Sequence, residues 1–194
     1  MKKVVIAGGG FAGVEAAIFL KKHGFDVTLV SNRDYLYLYP ISIWIPTGAL
    51  KAEKAMVSLE ELSRIHKFTL IINEVTRIEA KKRTVHLRGA SVGYDYLVVA
   101  IGSHKLKPRG REHFLSICGD PEEALAIKAK IDSLLEKKGG KIAVGFAGNP
   151  HDVSAVRGGP AFEVLFNIHH LLKRKGLLKN FEITFFAPMN EPGA

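Results

Sequence analysis

The sequence GGGFAG at residues 8–13 lies between a short apolar run and a segment with helical character. The run Lys3–Ala7 predicts a buried strand, and Val14–His23 predicts a helix that ends at Gly24, a residue suited to left-handed termination. Val27–Val30 predicts a second strand. The first thirty residues therefore predict a βαβ unit whose two strands are parallel in one sheet.

The glycine turn satisfies the pattern G-x-G-x-x-G in the strand–turn–helix context that indicates dinucleotide binding. Gly8 allows the tight turn, Gly10 lets a pyrophosphate approach the backbone, and Gly13 lets helix and strand pack closely. Phe11 and Ala12 lie between these glycines, at the approach to a helix N-terminus that suits an anion. We therefore expect these residues to bind a dinucleotide, in preference to a glycine-rich turn without a ligand.

The second strand ends without the carboxylate that commonly binds the adenosine ribose, roughly 20 residues after such glycines. Ser31, Asn32 and Arg33 stand there instead, and Asp34 is expected to be a turn residue. A hydroxyl and an amide can hydrogen-bond ribose hydroxyls with less strength than an ionised acceptor. We predict that Ser31, Asn32 and Arg33 lie at the ribose end of the dinucleotide.

The middle of the chain predicts an antiparallel insertion. Ser58-Leu59-Glu60-Glu61 is a capping box that opens a short helix. Strands are predicted over Phe68–Ile78, Thr84–Leu87 and Tyr94–Ile101, and their connections are too short for parallel crossovers.

A second βαβ unit is predicted after residue 110, opened by a helix with Asp120 as N-cap. Its elements are a helix to Lys138, a strand Lys141–Ala147, a helix Pro160–Lys175 and a strand Phe181–Ala187. The fold class is therefore α/β, with a dinucleotide-binding domain over residues 1–108 and an incomplete second Rossmann-like domain over 109–194. A doubly wound sheet needs further strands, so the chain is expected to be the front portion of a longer protein.

Composition excludes several classes of protein. The 194 residues are 47% hydrophobic and 24% charged, as in a soluble globular protein. The net charge of +9 is scattered over helix ends and turns, so we expect no nucleic-acid partner. Prolines interrupt the longest uncharged run, so no membrane-spanning helix is expected. No signal peptide is evident. The single cysteine fits a reducing, cytoplasmic setting for this soluble piece. The histidines show no metal-ligand spacing, and the lack of glutamine is consistent with a thermophilic source.

Two motifs together carry a family resemblance. The glycine turn is followed by Ala17 and Gly24, and the segment YDYLVVAIG at residues 94–102 resembles a second signature that has Thr where Ile101 stands. The pair resembles two-dinucleotide-binding-domain flavoproteins, whose first site holds FAD. The resemblance implies that Ala100, Ile101 and Gly102 pass close to FAD and that backbone at Val75 or Thr76 contacts the adenine.

The segment from Tyr39-Pro40 to Thr47-Gly48 resembles the branch that contains sulfide:quinone oxidoreductases and type II NADH dehydrogenases. Both pass electrons from FAD to a membrane quinone. The resemblance implies that Tyr39 and Pro40 approach the isoalloxazine ring.

Ser116-Ile117-Cys118 is similar to the stretch of sulfide:quinone oxidoreductases that carries a redox cysteine. Cys118 precedes a helix N-terminus, whose dipole favours thiolate, although Asp120 would offset part of that effect. A packing role is the alternative for a lone cysteine.

The turn of the second βαβ unit resembles sulfide:quinone oxidoreductases more than type II NADH dehydrogenases. A type II NADH dehydrogenase needs a compact glycine motif there, but residues 144–160 form an expanded loop with two prolines. Gly158–Glu163 resembles the corresponding stretch of sulfide:quinone oxidoreductases. Glu163 is expected either to complement the helix dipole or to relay protons.

The resemblance implies a FAD-dependent enzyme that oxidises sulfide through Cys118 and reduces quinone at a membrane surface, with homo-oligomers possible. It departs from the family because Ser154–Arg157 contains no second cysteine. The alternatives are a type II NADH dehydrogenase and a stand-alone nucleotide-binding module. The 194 residues alone are expected to be inactive, because the quinone-binding half of the family lies beyond them.

Overall fold

The computed structural model describes residues 1–103, 109–148 and 158–188. It confirms the α/β class with parallel strands and connecting helices. Two compact units form: the first comprises Met1–Leu38 and Met56–Lys107, and the second comprises Tyr39–Ala55 and Pro108–Ala194.

The first unit contains nine strands and two α-helices among its described residues. They are β1 Lys3–Ala7, α1 Phe11–Lys22, β2 Asp26–Ser31, β3 Tyr35–Tyr37, β4 Met56–Ser58, α2 Leu59–His66, β5 Thr69–Ile72, β6 Val75–Glu79, β7 Thr84–Leu87, β8 Ala90–Gly93 and β9 Tyr96–Val99.

The predicted N-terminal βαβ unit is confirmed. The main sheet has the order β5-β2-β1-β9 with all strands parallel, and Val4 of β1 is in register with Val27 of β2. The helix α1 begins at Phe11, three residues before the predicted start, because the turn occupies only residues 8–10.

Both faces of this sheet are covered, which explains the nearly continuous apolar sequence of its central strands. Val4 and Ile6 pack in the core that includes α1, whereas Val5 points to the opposite face. On that opposite face, Val85 and Leu87 of β7 complete a second core.

The predicted strand Phe68–Ile78 is wrong as a single element. Its first half is β5, which pairs parallel with β2, and its second half is β6, which pairs antiparallel with β7. Asn73 separates the two, because its side-chain oxygen accepts the backbone N–H of Glu74 at 2.7 Å and turns the chain.

The antiparallel insertion is a meander of β6, β7 and β8, and its membership differs from the prediction. The short strand β8, which follows the turn at Gly89, was missed because its sequence ASVG has weak strand character. The predicted strand Tyr94–Ile101 contains β9, which pairs parallel with β1 and not with the meander. The meander itself crosses the face of the sheet and leads the chain from β5 to β9.

The N-cap half of the predicted capping box at α2 is confirmed. Ser58 occupies the N-cap, and its Oγ accepts the backbone N–H of Glu61 at 3.2 Å.

The second unit contains the second βαβ arrangement that the sequence predicts. Its elements are the 3-10 helices Tyr39–Trp44 and Ala52–Ala55, α3 Pro121–Glu136, β10 Gly140–Gly145, α4 Gly159–Arg174 and β11 Phe181–Phe186. Strands β10 and β11 are parallel, with Ile142 in register with Ile183. The core of this unit contains Ile131, Val164, Ile168 and Leu172.

Residues 39–55 belong to the second unit, although the sequence analysis placed them within the N-terminal domain of residues 1–108. The reason is tertiary packing: Ile43 packs against the core of the second unit, and Asn167 of α4 donates a hydrogen bond to the Ile43 carbonyl at 3.3 Å. The assignment of FAD binding to residues 1–108 stays a prediction.

Within the described residues, every helix is too short or too polar to span a bilayer.

The meander carries a small ionic cluster around Glu79. The carboxylate lies 2.9 Å from Lys82 Nζ and 3.2 Å from His86 Nε2, with Arg77 at 3.6 Å. Hydrogen bonds from Lys82 and then His86 hold the pKa of Glu79 below its ordinary value, although burial opposes them.

Glu79→Gln is expected to lower the melting temperature at pH 6, and the difference from wild type should vanish as the solution is acidified. A carboxylate with a depressed folded-state pKa stabilises the protein above its unfolded pKa, near 4.5, and this contribution is lost as pH falls through the lower folded value. Thermal unfolding at low salt between pH 6 and pH 3 measures the difference. A difference that stayed constant over this range would contradict the prediction.

Candidate functional site

The glycine turn of the first unit is tightly packed against the end of β9. Gly8 has φ +115°, and a Cβ there would overlap the carbonyl oxygen of Ala100. A Cβ at Gly13 would overlap the carbonyl oxygen of Gly8. The backbone N–H of Ala100 also donates to the carbonyl of Ala7 at 2.8 Å. Gly8 and Gly13 are therefore required by the fold itself.

Gly10 differs from these two glycines because the space beside it is open. It is the N-cap of α1 with φ −82°, and a Cβ built on it meets no atom within 4 Å. Phe11 and Ala12, which follow it in the first turn, are exposed. The first turn contains no acidic residue, so its backbone N–H groups and the helix dipole present positive potential to an anion.

Ser31 ends β2 beside this turn. Its side chain is buried, its Oγ accepts the backbone N–H of Arg33 at 3.2 Å, and a Cβ at Gly9 would come within 2.6 Å of its Cβ. Asn32 is exposed, and the Arg33 guanidinium lies 5.3 Å from the centre of the Tyr35 ring. The three residues predicted to face the ribose thus lie at and just after the end of β2, the strand next to the glycine turn. Their contact with a ribose stays a prediction.

Ile101 and Gly102 continue from the end of β9, next to the glycine turn. Ile101 is 71% exposed, and Gly102 has φ +72°, a conformation that favours glycine. This exposed, sharply turned backbone suits the predicted close approach to a ligand, which stays a prediction.

Val75 and Thr76, which were predicted to contact the adenine, begin β6. The register of the β6–β7 ladder shifts between Val75 and Arg77, so Thr76 is the extra residue of a bulge. Its Oγ1 donates to the carbonyl of His86 at 3.2 Å, and the side chain is exposed.

The second unit brings together two of the predicted site residues. The Tyr39 hydroxyl donates a hydrogen bond to Cys118 Sγ at 3.0 Å, although 79 positions separate them. Cys118 is a half-buried free thiol, and Pro40, next to Tyr39, is exposed. The residue predicted to approach a flavin and the predicted redox cysteine are therefore in direct contact.

The core of the second unit holds both partners of this contact. Ile117, next to Cys118, and Ile43, in the 3-10 helix that begins at Tyr39, both pack against that core. The backbone N–H of Cys118 donates to Ser116 Oγ at 3.2 Å and shapes the loop.

Arg111 and Glu123 stabilise the segment before Cys118, and sequence reasoning missed both roles. The Arg111 guanidinium forms an ion pair with the Glu123 carboxylate and donates to the Phe114 carbonyl at 2.6 Å. Glu123 lies in the first turn of α3. The two residues lie 12 positions apart in different elements, so no periodic pattern within one helix or strand could have identified the pair.

Glu163 lies on the exposed side of α4, between the buried residues Ala161 and Val164. In the described part of the chain, no hydrogen bond or ion pair joins it to Cys118. Its proton-relay role stays a prediction. Across residues 1–103, 109–148 and 158–188, His, Cys, Asp and Glu side chains form no cluster that could hold a metal ion.

The second helix N-terminus contrasts with the first. Gly158 is the N-cap of α4, and a Cβ there would lie 2.7 Å from the Phe146 ring and 3.2 Å from the Phe162 ring. Phe162 also stacks on Phe185 with ring centres 4.6 Å apart. Aromatic side chains therefore pack at Gly158, the N-cap of α4, whereas the space beside Gly10, the N-cap of α1, is open. Most of the predicted expanded loop, residues 149–157, lies outside the described residues.

An open glycine turn between a parallel strand and a helix defines a dinucleotide-binding α/β protein. The model of the family described as pyridine nucleotide-disulphide oxidoreductase matches residues 2–152. The chain belongs to this family.

Relatives with known names support the same assignment. The chain is 30% identical over 193 residues to the sulfide-quinone reductase of Aquifex aeolicus, covering 95% of this chain and 42% of the relative. It is 26% identical to the type II NADH:quinone oxidoreductase of Staphylococcus epidermidis, covering 83% and 40%.

Solved structures agree with the sequence matches. The sulfide:quinone oxidoreductase of Aquifex aeolicus superposes with a TM-score of 0.86 at 28% identity, covering all of this chain and 44% of that one. The NDH2 of Plasmodium falciparum shares the fold, with a TM-score of 0.76 at 20% identity, covering 95% and 41%. The predicted resemblance to sulfide:quinone oxidoreductases is confirmed. The chain spans less than half the length of these relatives, as expected for a portion of a longer protein.

Proposed function

We propose that this oxidoreductase chain is the FAD-binding and cysteine-bearing portion of a sulfide:quinone oxidoreductase. The observation that carries the proposal is the hydrogen bond between Tyr39 and Cys118. Tyr39 lies in the segment that resembles the quinone-reducing branch. Cys118 lies in the stretch that resembles the one carrying the redox cysteine of sulfide:quinone oxidoreductases, and the hydrogen bond joins the two.

The residues of the first unit fit FAD. Gly10 leaves open space for the pyrophosphate, and the first turn of α1 offers N–H donors without a nearby acid in that turn. Ser31 and Asn32 would hydrogen-bond the ribose, Arg33 would flank it, and backbone at Val75 or Thr76 would contact the adenine. When bound, FAD accepts two electrons from the donor and passes them to quinone.

Cys118 is the residue that handles sulfur in this proposal. HS⁻ would attack sulfur bonded to a protein cysteine, so that a new S–S bond forms and the S–S bond to the half-buried Cys118 breaks, with Sγ leaving as a thiolate. The electron pair on that thiolate would then pass to FAD as the sulfur–sulfur bond to Cys118 forms again. Overall, HS⁻ loses two electrons and a proton to give sulfur at the zero oxidation level, and the quinone gains those two electrons, that proton and one further proton from solvent. Glu163 stands as a candidate for moving a proton.

The second unit supports sulfide over NADH as the donor. A nicotinamide dinucleotide would need backbone access at the N-terminus of α4, but the Phe146 and Phe162 rings pack against Gly158. In the first unit, residues 8–10 alone connect strand to helix, whereas residues 146–158 connect β10 to α4. A compact turn is what brings a pyrophosphate onto the helix N-terminus.

Quinone reduction, association with a membrane surface and homo-oligomer formation extend the proposal to the intact protein. The two quinone-reducing relatives support the first of these.

The test is an anaerobic titration of the protein expressed from its full coding sequence and reconstituted with FAD. We expect sulfide to bleach the flavin absorbance and an equal concentration of NADH to leave it unchanged. Bleaching by NADH alone would reassign the protein to the type II NADH dehydrogenases. A protein that binds no added FAD would instead indicate a nucleotide-binding module without flavin chemistry.

A further inference from the structure

The contact between Tyr39 and Cys118 carries an inference about reactivity. The phenol O–H is a donor, and a hydrogen bond to a negatively charged acceptor is roughly twice as strong as one to a neutral acceptor. We propose that the Tyr39 hydroxyl is a positioning residue that holds Cys118 Sγ and stabilises negative charge on it. The consequence for turnover rests on the proposed function, whereas the effect on the thiol can be measured without flavin or sulfide.

The geometry of the contact is set by packing. Ile43 fixes the 3-10 helix that begins at Tyr39, and Ile117 fixes the loop that presents Cys118. Asn167 of α4 donates to the Ile43 carbonyl and ties the 3-10 helix to the same unit. Segments anchored on one core therefore hold both partners of the 3.0 Å contact.

The same 3-10 helix carries a buried polar side chain one turn beyond Tyr39. Ser42 is fully buried, and its hydroxyl has no hydrogen-bond partner among the described residues. Residues three apart in a 3-10 helix lie on one face, so Ser42 shares the face from which Tyr39 reaches Cys118.

Charged groups on the neighbouring elements act on the same sulfur. Asp120 lies at the N-cap of α3, two residues after Cys118, and its carboxylate opposes negative charge on the sulfur. Glu123, in the first turn of α3, is paired with Arg111, which limits its effect. The Tyr39 hydroxyl and the helix N-terminus therefore both favour negative charge on Cys118 Sγ, whereas the Asp120 carboxylate opposes it.

The test uses alkylation by iodoacetamide, which reacts with the thiolate. The 194-residue chain has a single cysteine, so the rate reports Cys118 alone. Wild type and Tyr39→Phe would be compared at pH 7.0 and pH 9.5. We expect Tyr39→Phe to slow alkylation about tenfold at pH 7.0, equivalent to about 1.4 kcal/mol, and to leave the rate at pH 9.5 within about twofold.

Tyr96→Phe is the matched control, because Tyr96 is an exposed residue of β9. It should alkylate at the wild-type rate at both pH values. Equal rates for wild type and Tyr39→Phe at pH 7.0 would overturn the proposal. A change by the same factor at both pH values would also overturn it, because that pattern reports altered access to the thiol.

The two proposals can fail separately. If sulfide fails to bleach the flavin but Tyr39→Phe slows alkylation only at pH 7.0, then sulfide oxidation is wrong and the role of Tyr39 stands. If sulfide bleaches the flavin and the alkylation rates do not differ, then only the role of Tyr39 is wrong.

Discussion

Gly10→Val is expected to weaken FAD binding strongly while leaving the protein folded. The backbone at Gly10 has φ −82°, which valine adopts, and no atom lies within 4 Å of the position that its Cβ would take. The same side chain would occupy the space through which a pyrophosphate reaches the N-terminus of α1. Affinity for FAD should fall roughly 100-fold or more, about 2.7 kcal/mol.

Fluorescence quenching of FAD would measure the affinity, and thermal unfolding without FAD would measure the fold. Valine is a poorer N-cap than glycine by about 1 kcal/mol, so the melting temperature should fall by only about 2–4 °C. If Gly10→Val bound FAD as tightly as wild type, the pyrophosphate would not lie against the backbone at Gly10.

Gly13→Val is the contrasting variant. A Cβ at Gly13 would overlap the carbonyl oxygen of Gly8, and neither backbone segment can move without separating α1 from β1. We expect destabilisation of at least about 3 kcal/mol, with FAD binding lost together with the fold. A pair of variants that behaved alike in thermal unfolding would refute the distinction between an open and a packed glycine.

Cys118→Ser is expected to prevent reduction of the flavin by sulfide. Serine preserves the size of the side chain, but its hydroxyl ionises far less readily than a thiol and is a weaker nucleophile. The rate of anaerobic bleaching by sulfide should fall on the order of 10³-fold, about 4 kcal/mol in the barrier. Stopped-flow absorbance on the FAD-reconstituted protein from the full coding sequence measures this rate.

Reduction by dithionite provides the control for this variant. Dithionite needs no protein thiol, so it should bleach wild type and Cys118→Ser equally, which shows that the cofactor is intact. A sulfide-driven rate close to that of wild type would remove Cys118 from the reaction and return it to a packing role.

The N-terminal fold was predictable because its determinants are local. The alternation of Val4, Val5 and Ile6 between two cores, and the glycines that separate β1 from α1, are encoded within a few residues. The capping box at Ser58 was equally visible, since the N-cap and its partner at Glu61 lie in one helical turn. Periodicity and turn chemistry act over such short distances.

The strand partners could not be predicted from the same patterns. The segment after Phe68 reads as one long strand, and only the turn at Asn73 divides it between two sheets. The apolar strand β9 could have continued the meander, but it completes the main sheet beside β1. The meander instead packs on a face of that sheet. Apolar character measures how strongly a strand is buried, and it does not specify which strand lies beside it.

The candidate site shows the same division. The open turn at Gly10 follows from six consecutive residues, so sequence alone was sufficient to indicate a dinucleotide. The hydrogen bond from Tyr39 to Cys118 and the ion pair from Arg111 to Glu123 join residues that no periodic pattern relates. Such contacts exist only after long-range packing has brought separate segments onto one core, because the free energy that orders them comes from burying apolar side chains across the whole unit.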